Sequence, residues 1–102
     1  HERHNNQGKA FIARWSLARL SRAQGLHEQA MAALAQLRAD MAAAGAPEDG
    51  YLFEELGENA LVLEDTAAAE YFARAWFLLS QDEWFKANEA ERLARLKRLA
   101  KL

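Results

Sequence analysis

The sequence predicts an all-α fold of antiparallel helix hairpins within a single domain of 102 residues. Apolar residues recur at helical spacings of three and four along most of the chain, and no segment alternates with the period of two that a strand requires. Hydrophobic residues make up 51% of the chain, which indicates a globular core, whereas five glycines and one proline leave little turn chemistry for a many-stranded sheet. Short connections between the helices favour antiparallel neighbours.

The first hairpin is predicted over residues 10–44, after a polar extension at residues 1–9. Its first helix runs from about Asn6 to Gln24, and Gly25 follows as a left-handed stop. The second helix runs from about His27 to Ala44. In the first helix an apolar row is formed by Phe11, Trp15 and Ala18. Burial on more than one side is expected because this row is widened by Ala10, Ala13, Leu17 and Leu20.

The second hairpin is predicted over residues 51–80, after a loop at residues 45–50 that contains the only proline. Its first helix begins at Gly50 or Tyr51 and ends near Leu63. Asp65 is the expected N-cap of the next helix, which spans about Thr66 to Leu79. The inward positions of the two helices are Leu52, Phe53, Leu56, Ala60 and Leu63, followed by Ala68, Phe72, Ala75, Trp76 and Leu79.

A capping helix is predicted over residues 81–102. Ser80 and Glu83 have capping-box spacing, which predicts a short turn that places Trp84 and Phe85 inward. Asn88 is the expected cap of the last helix. The apolar side of that helix consists of Leu93, Leu96, Leu99 and Ala100. Such a helix would cover the last apolar face of a short repeat array.

Two segments carry the small–large packing pattern of a helical repeat. In the first, Leu17-Ala18 is followed by Ala30 and Leu34, with Trp15 one place from its usual position; the second contains Leu56-Gly57, Ala60, Ala68, Phe72 and Ala75. Residues 10–80 therefore resemble two tetratricopeptide repeats, and the whole chain is similar to small uncharacterised bacterial proteins of that family. The resemblance implies an alpha-alpha superhelix that binds a protein or peptide. Leu17 and Leu56 lie 39 residues apart, and Leu34 and Phe72 lie 38 apart, against a family period of about 34.

Residues suited to catalysis, to cofactor binding or to metal binding are scarce. The chain has no cysteine, its glycines are single and scattered, and no serine lies in a nucleophile elbow. His1 and His4 beside Glu2 have a spacing that a metal could use on a helix, but a frayed terminus is the favoured interpretation. We therefore predict no enzyme activity, no cofactor and no metal, and we expect His27 at the surface.

An acidic run is the most distinctive feature of the charge pattern. Eight acids and no base lie between Glu48 and Ala73. Glu54 and Glu58 are four residues apart, a pairing of like charges that destabilises a helix by a few tenths of a kcal/mol. Either an internal arginine, with Arg19 as the expected partner, or a basic protein partner would offset this repulsion. The repeat resemblance implies a groove lined by Ile12, Trp15, Arg19, Arg22, Tyr51, Glu54, Glu58 and Leu61.

The expected function is a non-catalytic protein-interaction or scaffold module in the cytoplasm, with no membrane partner. One alternative is nucleic-acid binding through the basic last helix, at Arg92, Arg95, Arg98 and Lys101. It is disfavoured because no aromatic residue lies among these bases to stack on nucleobases. A homo-oligomeric structural protein is the other alternative. For the interaction module itself, two repeats fall short of the three usually needed for stability, so homodimerisation through Phe11, Ile12 and Trp15 is expected unless the last helix makes up the deficit.

Overall fold

A computed structural model describes the backbone of residues 2–102 and the side chains of residues 7–102. This part of the chain is all-helical and contains no strand. Its six helices are α1 (Glu2–Ala23), α2 (His27–Ala43), α3 (Gly50–Val62), α4 (Ala68–Leu79), α5 (Glu83–Asn88) and α6 (Ala90–Leu99). The chain divides into two compact units, residues 1–48 and 49–102. The division falls inside the loop that was predicted at residues 45–50.

The first unit is the hairpin of α1 and α2, which pack against each other. Gly25 has a φ of 81° and ends α1 as predicted, because glycine enters the left-handed region without steric cost. Arg14 of α1 and Asp40 of α2 form a salt bridge of 2.8 Å. Gln36 donates to the same carboxylate at 2.9 Å. These partners lower the pKa of Asp40, the Gln36 hydrogen bond contributing most and Arg14 next.

The second unit is built around α3, which is buried on most of its circumference. Asp49 caps this helix by accepting a hydrogen bond from the Tyr51 amide at 2.8 Å. α3 pairs closely with α4, and α6 packs on α4. Gly57 allows α3 and α4 to approach each other closely, because a Cβ at that position would lie 2.8 Å from the ring of the fully buried Phe72. The core of the unit contains Leu52, Phe53, Leu56, Ala60, Phe72, Ala75, Leu79, Phe85 and Leu96.

The short helix α5 is capped by a different residue from the predicted Ser80. Its N-cap is Asp82, which accepts from the Phe85 amide at 3.0 Å. The Ser80 hydroxyl instead donates back to the Phe77 carbonyl of α4 at 3.1 Å. Phe85 is buried as predicted, but Trp84 is 62% exposed. Phe85 is the buried residue of this short helix, and its neighbour Trp84 points about 100° away from it, towards solvent.

Two further predicted caps act differently from expectation. The Asn88 side chain donates to the Trp84 carbonyl at 2.9 Å, so it closes α5 instead of opening α6. Asp65 accepts from the Ala67 amide at 2.9 Å, but α4 begins at Ala68, two residues later than predicted, with Ala67 as its N-cap. Leu63, predicted inward, is exposed beyond the end of α3. The chain leaves α3 there through Glu64, whose φ is 58°.

Candidate functional site

The outward side of α1 is an exposed apolar strip. It consists of Ala10, Ala13, Leu17 and Leu20, and we call it the outer strip. Leu17 is 64% exposed and Leu20 54%. The prediction that α1 is buried on more than one side is therefore wrong. The helix buries Ala18 fully and Phe11 and Trp15 in part, which is the other side of its circumference.

Charged residues do not interrupt the outer strip. Arg14 points to Asp40 on α2 at 2.8 Å. The Arg19 guanidinium lies 5.5 Å from the ring centroid of Trp15. Both bases therefore interact with neighbours on other sides of the helix. The strip is an apolar surface flanked by polar residues, as protein-docking surfaces are.

In the second unit, Arg92 of α6 binds the carboxylate of Glu54 on α3. Its Nε donates to one Glu54 oxygen at 2.7 Å, and its Nη2 donates to the other. Its Nη1 donates to Glu89 at 3.3 Å. Hydrogen bonding to Glu54 outweighs partial burial and raises the pKa of Arg92. A bidentate arginine–carboxylate pair of this kind combines charge with fixed geometry.

Aromatic rings enclose the same guanidinium. Arg92 lies 5.6 Å from the ring centroid of Tyr51 and 5.2 Å from that of Phe85. The two rings meet edge to face, with centroids 5.8 Å apart. Burial raises the pKa of the Tyr51 hydroxyl, and the charge of Asp82 acts in the same direction. Cation–π contacts and ion pairing therefore both fix the position of the Arg92 guanidinium.

Arg95 makes a second pair of the same type. Its Nη2 donates to one oxygen of Glu58 at 3.0 Å, and its Nη1 donates to the other oxygen. Glu54–Arg92 and Glu58–Arg95 together form an ion-pair ladder between α3 and α6. Of the two predicted ways to offset the repulsion between these acids, the structure shows internal arginines, and they are Arg92 and Arg95 of α6 where Arg19 was the expected partner.

The residues of the predicted groove lie in both units, four in each. In the first unit Ile12 and Arg19 are exposed, whereas Trp15 and Arg22 are half-buried. In the second, Leu61 is exposed, Tyr51 and Glu58 are half-buried, and Glu54 is only 5% exposed. The groove as a binding site stays a prediction. Its two acids already have both oxygens on arginine, which leaves less for a basic partner to neutralise.

The basic set on the last helix is likewise divided. Arg92 and Arg95 belong to the ion-pair ladder, whereas Arg98 and Lys101 are exposed. Lys97 lies 5.6 Å from the ring centroid of Trp76. The sequence had grouped Arg92, Arg95, Arg98 and Lys101 together as an alternative surface for nucleic acid. The spacing of three between Arg92 and Arg95 is compatible with the spacing of four between Glu54 and Glu58, but it does not by itself identify α3 as the partner helix.

Neither a metal-binding cluster nor a membrane-spanning helix occurs among the described residues. No group of three or more histidine or acidic side chains there is arranged to hold a metal ion. The predicted alternative at His1, Glu2 and His4 lies outside the described side chains, and His27 is half-buried at the start of α2. None of the helices between residues 2 and 102 has the length and hydropathy of a bilayer-spanning segment.

Comparison of the chain with protein-family models, curated proteins and solved structures finds no match in any of the three. The resemblance to tetratricopeptide repeats therefore stays a prediction.

Proposed function

We propose that the chain is a non-catalytic protein-interaction module built on two tetratricopeptide-like hairpins, α1–α2 and α3–α4. Support comes from the close packing at Gly57 and Phe72, the small–large pair on which the repeat resemblance rests. The packing of α6 on α4 is what a capping helix would provide. The fold supplies the rigid helices, and the function belongs to the surface that these helices leave uncovered.

The outer strip of α1 is the observation that carries the proposal. Leu17 and Leu20 expose more than half of their surface on a helix whose other side is already packed. Burying a leucine side chain is worth about 1.5–3 kcal/mol. A partner helix that covers both leucines would therefore gain enough free energy to offset part of the cost of association. We assign the docking of an amphipathic helix to this strip.

The ion-pair ladder explains why the docking surface is assigned to α1 and not to the acidic face of α3. Glu54 and Glu58 are neutralised by bases of their own unit, so a basic peptide would have to displace Arg92 and Arg95. Separating the buried Glu54 from Arg92 costs about 3 kcal/mol, and separating the more exposed Glu58 from Arg95 costs about 1 kcal/mol. The outer strip has no comparable internal competitor.

A probe peptide tests the assignment. The probe is a synthetic amphipathic helix with alanine and leucine along one face and glutamate and lysine elsewhere. Fluorescence anisotropy of the labelled chain, held at low nanomolar concentration, is followed as the peptide is added. We expect saturable binding that Leu17→Glu weakens at least ~10-fold, because a charge would be buried in the contact.

Ile12→Glu is the matched control. Ile12 lies on the same helix and is also 64% exposed, but it points about 120° away from the centre of the outer strip. The control should bind the peptide as the wild type does. If Ile12→Glu abolished binding and Leu17→Glu preserved it, the predicted groove would be the docking surface and our assignment would be wrong.

A further inference from the structure

The outer strip has the spacing of a coiled-coil seam. Ala10, Ala13, Leu17 and Leu20 follow one another at intervals of three, four and three, which are the a and d positions of successive heptads. The seam is exposed along its whole length. A helix with this pattern fits a second helix that crosses at a shallow angle. The spacing therefore favours a single helix as the occupant of the strip.

The order of the side chains distinguishes the two ways of pairing such a seam with a copy of itself. The first half of the seam carries two alanines and the second half two leucines. In a parallel pair, alanine would face alanine and leave space unfilled. In an antiparallel pair, Ala10 faces the partner's Leu20 and Ala13 faces the partner's Leu17. Every layer then contains one small and one large side chain, as close packing requires.

We propose that the outer strip binds a second copy of this chain, with the two α1 helices antiparallel. This inference rests on the proposed function of the strip and names its occupant. The arrangement has two-fold symmetry, so each layer occurs twice and both copies use the same residues.

The charges around the seam agree with self-association. Between Ala10 and Leu20 the strip itself carries no charge, and the neighbouring Ser16 and Ser21 are neutral. Arg14, the base nearest to the two-fold axis, is paired with Asp40 at 2.8 Å. Like charges therefore do not oppose each other across the axis, which would otherwise cost affinity. The outer strip replaces the dimer face that the sequence predicted at Phe11, Ile12 and Trp15, because Phe11 and Trp15 are partly buried.

Sedimentation equilibrium of the full chain at several concentrations tests the dimer. The wild type should show a reversible monomer–dimer equilibrium, and Leu17→Glu should raise its dissociation constant at least ~100-fold, because symmetry places the substitution in two layers. Ile12→Glu should leave the dissociation constant unchanged. A wild type that stays monomeric at high micromolar concentration overturns the inference. The proposed function fails separately, if the probe peptide does not bind or if it binds in the predicted groove and not on the outer strip.

Cysteine cross-linking tests the orientation, because the chain has no cysteine of its own. The Ala10→Cys and Leu20→Cys variants are mixed and oxidised, and the products are identified by mass. The antiparallel pair brings the two different cysteines together, so the mixed disulfide should predominate. Identical cysteines would lie about 15 Å apart along the axis, beyond the ~7 Å that a disulfide spans between Cα atoms. Disulfides between identical variants would show a parallel pair and overturn the proposed geometry.

Discussion

Arg92→Met lowers the free energy of unfolding of the second unit by about 3 kcal/mol, because it leaves the buried carboxylate of Glu54 without its partner. Glu54 is 5% exposed and receives two hydrogen bonds from Arg92. Methionine preserves much of the apolar contact with Tyr51 and Phe85, so the loss reports mainly on the charge. Native-state hydrogen exchange of the α3 amides measures the effect within this unit.

Arg95→Met is the matched control for this change. Its partner Glu58 and its own side chain are more exposed than the corresponding groups of the first pair. The expected loss is about 1 kcal/mol, because solvent screens the charges. Adding Glu54→Leu to Arg92→Met should recover stability, since no buried charge then remains. Equal losses for the two arginine variants, or no recovery in the double variant, would contradict the assigned role of the ladder.

Gly57→Leu destabilises the same unit by about 3 kcal/mol, because α3 and α4 are too close for a side chain at this position. The first atom of any side chain would lie 2.8 Å from the Phe72 ring, which is fully buried. Urea unfolding monitored by circular dichroism gives the change in free energy.

Gly8→Leu is the control for the intrinsic effect of replacing a helical glycine. A Cβ at Gly8 would meet no atom within 4 Å, so this variant should be neutral or more stable by up to ~1 kcal/mol. Combining Gly57→Leu with Phe72→Ala should restore part of the lost stability. A Gly57→Leu variant as stable as the wild type would mean that the helices are not in close contact at this point.

The helices of the second unit could be predicted from the sequence because large and small residues alternate there at unambiguous positions. Leu56, Gly57 and Phe72 occupy the buried places that their spacing indicates. The ion-pair ladder was missed because its partners are 37 and 38 residues apart in the chain. Long arginine side chains can reach carboxylates on a helix that is not their sequence neighbour, and spacing within one helix does not show which helix that is.

The covered side of α1 could not be predicted for a different reason. Apolar residues lie on most of its circumference, so periodicity allows either side to be buried. Phe11, Trp15 and Ala18 took the buried side, and Leu17 and Leu20 were left outside. The caps around α5 were ambiguous for a similar reason, because Ser80, Asp82 and Asn88 are all suitable residue types within a few positions. Burial of Phe85 decides among them.

The proposed docking surface is tested most directly by following backbone amide resonances of the isotope-labelled chain in two-dimensional spectra while the probe peptide is added. Docking on the outer strip predicts that the largest changes fall on Ala10, Ala13, Leu17 and Leu20 of α1. Resonances of Glu54 and Glu58 should change little, because the ion-pair ladder stays closed. Changes centred on Tyr51, Glu54, Glu58 and Leu61, with Ala10, Ala13, Leu17 and Leu20 unaffected, would contradict the assignment and favour the groove.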